Sequence, residues 1–179
     1  MSKYQQRGAY HYDLFARKGD PYREHVLDLI EQIQKVVGPG ADIFECGCGE
    51  GLILSQLTLR GYNCEGCDTD PVAIGLGKAK GNVVFEDEIF EENRGWDAVL
   101  LCDVLEHVKD PIAVMNHAKH IARVVVIAIP DRTDPNAINK ITPEDLSLFM
   151  EGDPTIPFKL VHQSQRHARH LMIFKDDSP

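Results

Sequence analysis

The sequence predicts an α/β fold: a seven-stranded, mostly parallel, doubly wound sheet with helices on both faces and an antiparallel last strand. Three observations carry that expectation. Apolar β-type runs alternate with helical patterns along most of the 179 residues, as in parallel strands joined by crossover helices. Runs such as VVVIAI at 124–129 are apolar throughout, as strands covered on both faces must be. The first such run breaks into glycines spaced by single residues, DIFECGCGEG at 42–51, at the place where sheets of this kind bind ligands.

Taken in order, residues 1–40 are expected to form an N-terminal helical lid or cap, and 41–179 a single core. Within the cap, Asp20 and Pro21 are a helix cap and a first helical residue. Val26, Leu29, Ile30, Ile33 and Val37 then share one helical face, and Gly38-Pro39-Gly40 stops the helix. ADIFECG reads as a buried strand, GLILSQLTLRG as a helix ending at Gly61, and YNCEGCD as a short strand. DPVAIGLGKAKG is a weak helix with two internal glycines; NVVFED and WDAVLLCD are strands. Asp110 caps and Pro111 opens the helix DPIAVMNHAKHIA, and RVVVIAIP is the most β-branched run of the chain. Thr142-Pro143 opens TPEDLSLFMEG, with Asp145 placed for a capping box. FKLVHQ and HLMIFK pair as a closing hairpin.

Composition narrows the function classes. An apolar fraction of 43% and a charged fraction of 26% are those of an ordinary globule. A net charge of −9 gives the chain no electrostatic reason to seek a phosphate backbone, so nucleic acid is not an expected partner. No apolar stretch approaches the roughly 18 residues of a membrane span. MSKYQQRGAYHYD has no signal-like apolar segment, so the expected location is the cytoplasm. Five cysteines argue for thiols. Cys46, Cys48, Cys64 and Cys67 have paired spacing, but they lie in or beside apolar strands rather than in knuckle turns, and no metal is expected.

The glycine spacing decides which ligand fits the loop. A dinucleotide fingerprint needs G-x-G-x-x-G. Counting from Gly47, its third glycine falls on Leu52; the chain has G-x-G-x-G, preceded by Glu45. An acid there is misplaced for a pyrophosphate and suited to a ligand bringing positive charge. FECGCGEG resembles the first motif of the class I S-adenosylmethionine-dependent methyltransferases. The likeness continues in order through GCDTDPVAI, VVFEDEIF, WDAVLLCDVLEHVKDP, VVIAIP and TPEDLSLFMEG, from about residue 40 onward.

That resemblance implies S-adenosyl-L-methionine as cofactor, S-adenosyl-L-homocysteine as product and a small-molecule acceptor methylated on oxygen or nitrogen. It implies Gly47, Cys48, Gly49 and Gly51 around the cofactor, with Glu45 toward the methionine ammonium. Asp68 and Thr69 are implied at the ribose, Asp87 and Glu88 (with Ile89) at the adenine, and Cys102 and Asp103 at the amino-acid end. His107, just past the fourth strand, reads either as a base or as a residue orienting its loop. His117 and His120, at i, i+3, read as solvated.

Acceptor residues are less legible. Tyr4, Tyr10, Tyr12 and Phe15 make an aromatic N-terminus suited to a lid, with Tyr10 and Tyr12 as substrate contacts. PDRTDPNAINK and HQSQRHARH are expected loops; the latter holds Arg166, Arg169, His162, His167 and His170 without an acid, a basic island suited to an anionic acceptor. The alternatives are a protein of the same fold that binds the nucleoside without methyl transfer, as another enzyme or a sensor, and a nicotinamide dehydrogenase, which Leu52 disfavours.

Overall fold

A computed structural model describes residues 1–131, 135–152 and 157–178. Three helices come first: α1 (Lys3–Arg7), α2 (Tyr10–Ala16) and α3 (Pro21–Val36). The core follows as β1 (Asp42–Cys46), α4 (Leu52–Thr58), β2 (Asn63–Asp68), α5 (Pro71–Ala79), β3 (Val84–Glu86), a 3₁₀ turn (Ile89–Glu91) and β4 (Trp96–Cys102). Next come α6 (Pro111–Ile121), β5 (Ala122–Pro130), α7 (Pro143–Glu151), β6 (Phe158–Arg166) and β7 (Arg169–Asp176). The sheet order is β3-β2-β1-β4-β5-β7-β6. β1 to β5 are parallel, and β7 runs antiparallel to both of its neighbours. The expected fold class is borne out.

Alternation along the strands builds two cores. Val99 and Leu101 of β4 and Val125 and Ile127 of β5 face α6 and α7. Ala98, Leu100, Val124 and Val126 face α3 and α4. The capping residues act as expected: Asp20, Asp70 and Asp110 each accept from first-turn amides, and Thr142 and Asp145 close a capping box. A Cβ at Gly77, inside the weak helix α5, would lie 3.0 Å from the Val84 side chain and 3.1 Å from the Glu50 carbonyl, so a side chain there would push α5 off by a few tenths of an ångström.

The differences lie at the ends. α4 stops at Thr58 rather than Gly61, and β3 has only three residues. The basic segment HQSQRHARH is not a loop. β6 and β7 continue through it to a two-residue turn at His167 and Ala168, both with left-handed φ (52° and 61°). That is the backbone of a tight hairpin turn matched to strand twist, made here without the usual asparagine or glycine. The turn sits beyond the carboxyl end of β5, where Pro130 pairs with Arg169. The segment after β5 falls partly on residues 132–134, outside the described residues.

β1 is the switch point. Its neighbours β2 and β4 lead to opposite halves of the sheet, and Cys46 is level with Cys67 on one side and Leu101 on the other. A crevice opens beyond these three strand ends. Among the described residues no helix is long and apolar enough to cross a membrane.

Candidate functional site

The crevice is a cleft of about 790 Å³, within the range of small-molecule sites. Its inner edge is the turn from β1 into α4. Gly47, Gly49 and Gly51 all adopt left-handed φ (68°, 57° and 74°), a conformation that costs a residue with a Cβ roughly 1–2 kcal/mol. Close neighbours exclude a side chain as well: Val104 at Gly47, the Tyr4 hydroxyl at Gly49 and the Asn82 amide at Gly51. The room left at the three glycines is thus claimed in part by the protein's own side chains.

Asp68, at the end of β2, holds this turn. Its Oδ2 accepts from the Gly49 amide and its Oδ1 from the Asp70 amide, both at 2.8 Å. Cys48 N–H donates to the Cys67 carbonyl at 2.9 Å, a second tie between the loop and β2. Glu45 is buried with its Oε2 unpartnered. Burial first, then the charge of Asp68, push its carboxyl well above the usual range.

Of the residues the resemblance assigns to the cofactor, Glu45, Gly47, Cys48, Asp68, Thr69, Asp87, Glu88, Cys102 and Asp103 line the cleft, and so does His107. Asp87 accepts from the Glu88 amide at 2.8 Å, and Ile89 and Phe90 continue that wall. Gly49 and Gly51 shape the turn without lining the cavity. Burial pushes the Cys102 thiol up, so it is no ready nucleophile. The His107 ring is 39% exposed, with Nε2 3.8 Å from Glu106 Oε1.

Other expectations need correction. Tyr12 does not face the cleft: its hydroxyl is bonded to Ser55 and to Asn82, and Lys80 sits 4.3 Å from its ring centroid. Tyr10 lies outside as well, with Lys3 and Arg7 over its ring. Arg166 lies 3.5 Å from Asp28, and Arg169 makes a bidentate pair with Asp103 at 2.7–3.0 Å. The basic island therefore draws its acids from other elements and carries no unmatched arginine. His117 is not free in solvent but bonded to the Glu92 carbonyl at 2.7 Å. Cys46 and Cys67 meet across β1 and β2 and join the core under α6, whereas Cys48 and Cys64 pack with Leu54, Ile74 and Val84.

Tyr4, expected in the aromatic N-terminal segment, lines the cleft, together with three residues that had no chemical signal in the sequence: His11, Tyr22 and His25. They come from α1, α2 and the first turns of α3. Tyr4 O–H and His11 Nδ1 are bonded at 3.1 Å, and the His11 ring stacks on Tyr22 at 5.1 Å and 16°. Burial first, then Lys3 and Arg169, lower His11 to about 3. Burial first, then Arg169, lower His25 to about 4. Both imidazoles are neutral at pH 7. Glu50 explains why these helices sit here. Fully buried on the glycine turn, it accepts from the His11 and Tyr12 amides and caps α2, whose own N-cap, Ala9, offers no side chain.

A model of the methyltransferase domain matches residues 19–174. The chain belongs to the methyltransferase domain family. Ubiquinone biosynthesis O-methyltransferase of Xylella fastidiosa (strain 9a5c) is 28% identical over 107 residues, covering 54% of this chain. The match takes in 43% of that relative, so the domain spans less than half the length of the curated protein it matches. Magnesium protoporphyrin IX methyltransferase of Synechocystis PCC 6803, solved with bound SAM, superposes with a TM-score of 0.78 at 15% identity, over 97% of this chain and 93% of that one. N-methyltransferase NodS of Bradyrhizobium japonicum WM9, solved with S-adenosyl-L-homocysteine, gives 0.73 at 14% identity, over 94% and 97%. These likenesses establish the fold of the domain, and the resemblance read in its sequence is borne out.

Two outcomes follow from the site. Replacing Glu50 with alanine removes the cap of α2, worth about 1–2 kcal/mol. Trypsin should then cut at Arg7 and Arg17 about tenfold faster, and unchanged cleavage would contradict the capping role. His25 is neutral when folded and takes a proton near 6.5 when unfolded, so the unfolded chain binds more protons between pH 4 and 6.5. Stability from this group is present above 6.5 and lost as pH falls. Urea melts of His25→Gln should show a pH dependence shallower than wild type by about 1.4 kcal/mol per pH unit in that window; equal slopes would show that His25 titrates normally.

Proposed function

We propose that the domain binds S-adenosylmethionine in this cleft and passes its methyl to an oxygen or nitrogen of a small-molecule acceptor, leaving S-adenosylhomocysteine. The unpartnered Oε2 of buried Glu45 carries the reading. An uncompensated carboxylate in a low-dielectric site is costly, and a ligand that brings an ammonium relieves the cost. A pyrophosphate would raise it.

The other residues fit the same ligand. Each Asp68 oxygen accepts one backbone amide, which leaves lone pairs for the two ribose hydroxyls. Asp87, Glu88 and Ile89 wall the adenine slot, with Thr69 between sugar and base. Gly47, Cys48, Cys102 and Asp103 offer backbone to the amino-acid end, while Gly49 and Gly51 keep the turn open. When bound, S-adenosylmethionine supplies an electrophilic methyl on a sulfonium sulfur. The chain's own work is then to align the acceptor, exclude water and hold the acceptor's proton. His107 at the exposed rim, beside Glu106, suits orientation of the loop after β4 better than proton transfer. Residues 1–40 act as the lid through α1 and α2, which Glu50 ties to the glycine turn. Oxygen or nitrogen as acceptor atom is supported by the similar proteins, one an O-methyltransferase and one an N-methyltransferase.

Calorimetry with S-adenosylhomocysteine tests the reading. The full chain should bind it, and Asp68→Ala should weaken binding about a hundredfold through two lost charge-assisted hydrogen bonds. No heat with the wild type, or an unaltered affinity in the variant, would sink the assignment.

A further inference from the structure

The part of the cleft that faces α1, α2 and α3 differs in chemistry from the part between the strand ends. Its walls are the rings of Tyr4, His11, Tyr22 and His25. Tyr4 meets His11 edge-on (77°), His11 lies flat on Tyr22, and both tyrosines are held neutral by burial. His25 is 3% exposed and lines the cleft. Its ring makes no hydrogen bond among the described residues. An imidazole buried to this degree ordinarily has a partner for its nitrogens. The missing partner is therefore sought in the cavity.

The cations on this side are already engaged by the chain's own groups. Arg169 is matched by both oxygens of Asp103. Lys3 lies 5.4 Å from the ring centroids of Tyr4 and Tyr10, and Lys109 lies toward the His107 rim. Asp68 and Glu50 face Tyr4, Glu45 and Asp103 face Tyr22, and Asp103 and Asp28 face His25. An anion entering here would find Arg169 already matched and Lys3 laid against two tyrosine rings, and it would face the carboxyls of Glu45, Asp68 and Asp103 as it left water. A flat, uncharged ring would instead meet aromatic walls, and a hydroxyl on it would find a neutral imidazole with a free lone pair.

We propose that this chamber takes an uncharged hydroxyl carried on a flat ring, of the phenol class, and that His25 is the residue to which the hydroxyl donates. The inference rests on the methyl-transfer reading above for calling that ring the acceptor. It replaces the anionic acceptor that the basic hairpin suggested, because Asp103 and Asp28 already occupy Arg169 and Arg166.

The test uses phenol and benzoate as probes, titrated into the full chain labelled with ¹³C in its histidine rings, alone and with saturating S-adenosylhomocysteine. Phenol should bind at least about tenfold more tightly than benzoate and should move the His25 resonance, identified by its absence in His25→Gln. His25→Ala should weaken phenol about fivefold, the worth of one neutral hydrogen bond, and leave S-adenosylhomocysteine affinity within about twofold. If His25→Ala does not fold, His25→Gln, which keeps most of the volume, serves for the same comparison. Benzoate binding as tightly as phenol, a still His25 resonance, or no phenol binding up to its solubility would overturn the proposal. Phenol bound at His25 in a chain that ignores S-adenosylhomocysteine would leave the chamber standing and remove the methyl-transfer reading instead.

Discussion

The left-handed turn from β1 into α4, clamped by the carboxylate of Asp68, is the constraint on which the site depends. Three residues in a short stretch hold φ values that a Cβ disfavours. Within the turn itself that conformation is closed by the Gly51 amide, which donates to the Cys48 carbonyl at 2.9 Å. It persists because Asp68 takes the Gly49 amide, Cys67 takes the Cys48 amide, and Asn82 donates to the Glu50 carbonyl. β2 and the β3 approach thus fix a turn that belongs to β1. The parallel sheet supplies this order: only when β2 lies beside β1 with Cys67 level with Cys46 does Asp68 arrive at the loop.

The same turn organises the N-terminal helices. Glu50 caps α2, Gly49 receives the Tyr4 hydroxyl, and Ser55 and Asn82 hold Tyr12. The side chains that shape the far wall of the cleft are therefore coupled to the loop that shapes its floor. A ligand that touches the glycine turn lies against both. The electrostatics divide along the same line. The strand ends hold unpaired or crowded acids, Glu45 above all, and suit a cationic tail. The helical side is aromatic, with Lys3 laid against tyrosine rings and Arg169 matched by Asp103.

Much of this was legible in the sequence because the relevant signals are local. Asp20-Pro21, Asp70-Pro71, Asp110-Pro111 and Thr142-Pro143 announce four helices by capping chemistry alone, and all four form. The strand ends that bear Glu45, Asp68, Asp87 and Asp103 follow from the β-type runs before them. What was not legible is long-range. Glu50 caps a helix 39 residues away, so no spacing rule finds it. Asp103, just after β4, and Asp28, in α3, neutralise arginines of the last hairpin from far off in the sequence, which no local pattern shows. The His167-Ala168 turn lacks the glycine or asparagine that marks tight hairpins, and the strands there were read as a loop. His25 carries no signal of its own on an amphipathic helix; it reaches the cavity because α3 packs against the end of β4 at Cys102.

A structure of the chain crystallised with S-adenosylhomocysteine measures the central claim most directly. The account places both sugar hydroxyls within hydrogen-bonding distance of Asp68, the amino group at Glu45 and the adenine against Ile89, with the glycine turn unmoved. A nucleoside seated elsewhere, or one whose sugar leaves Asp68 untouched while the turn opens, would contradict it.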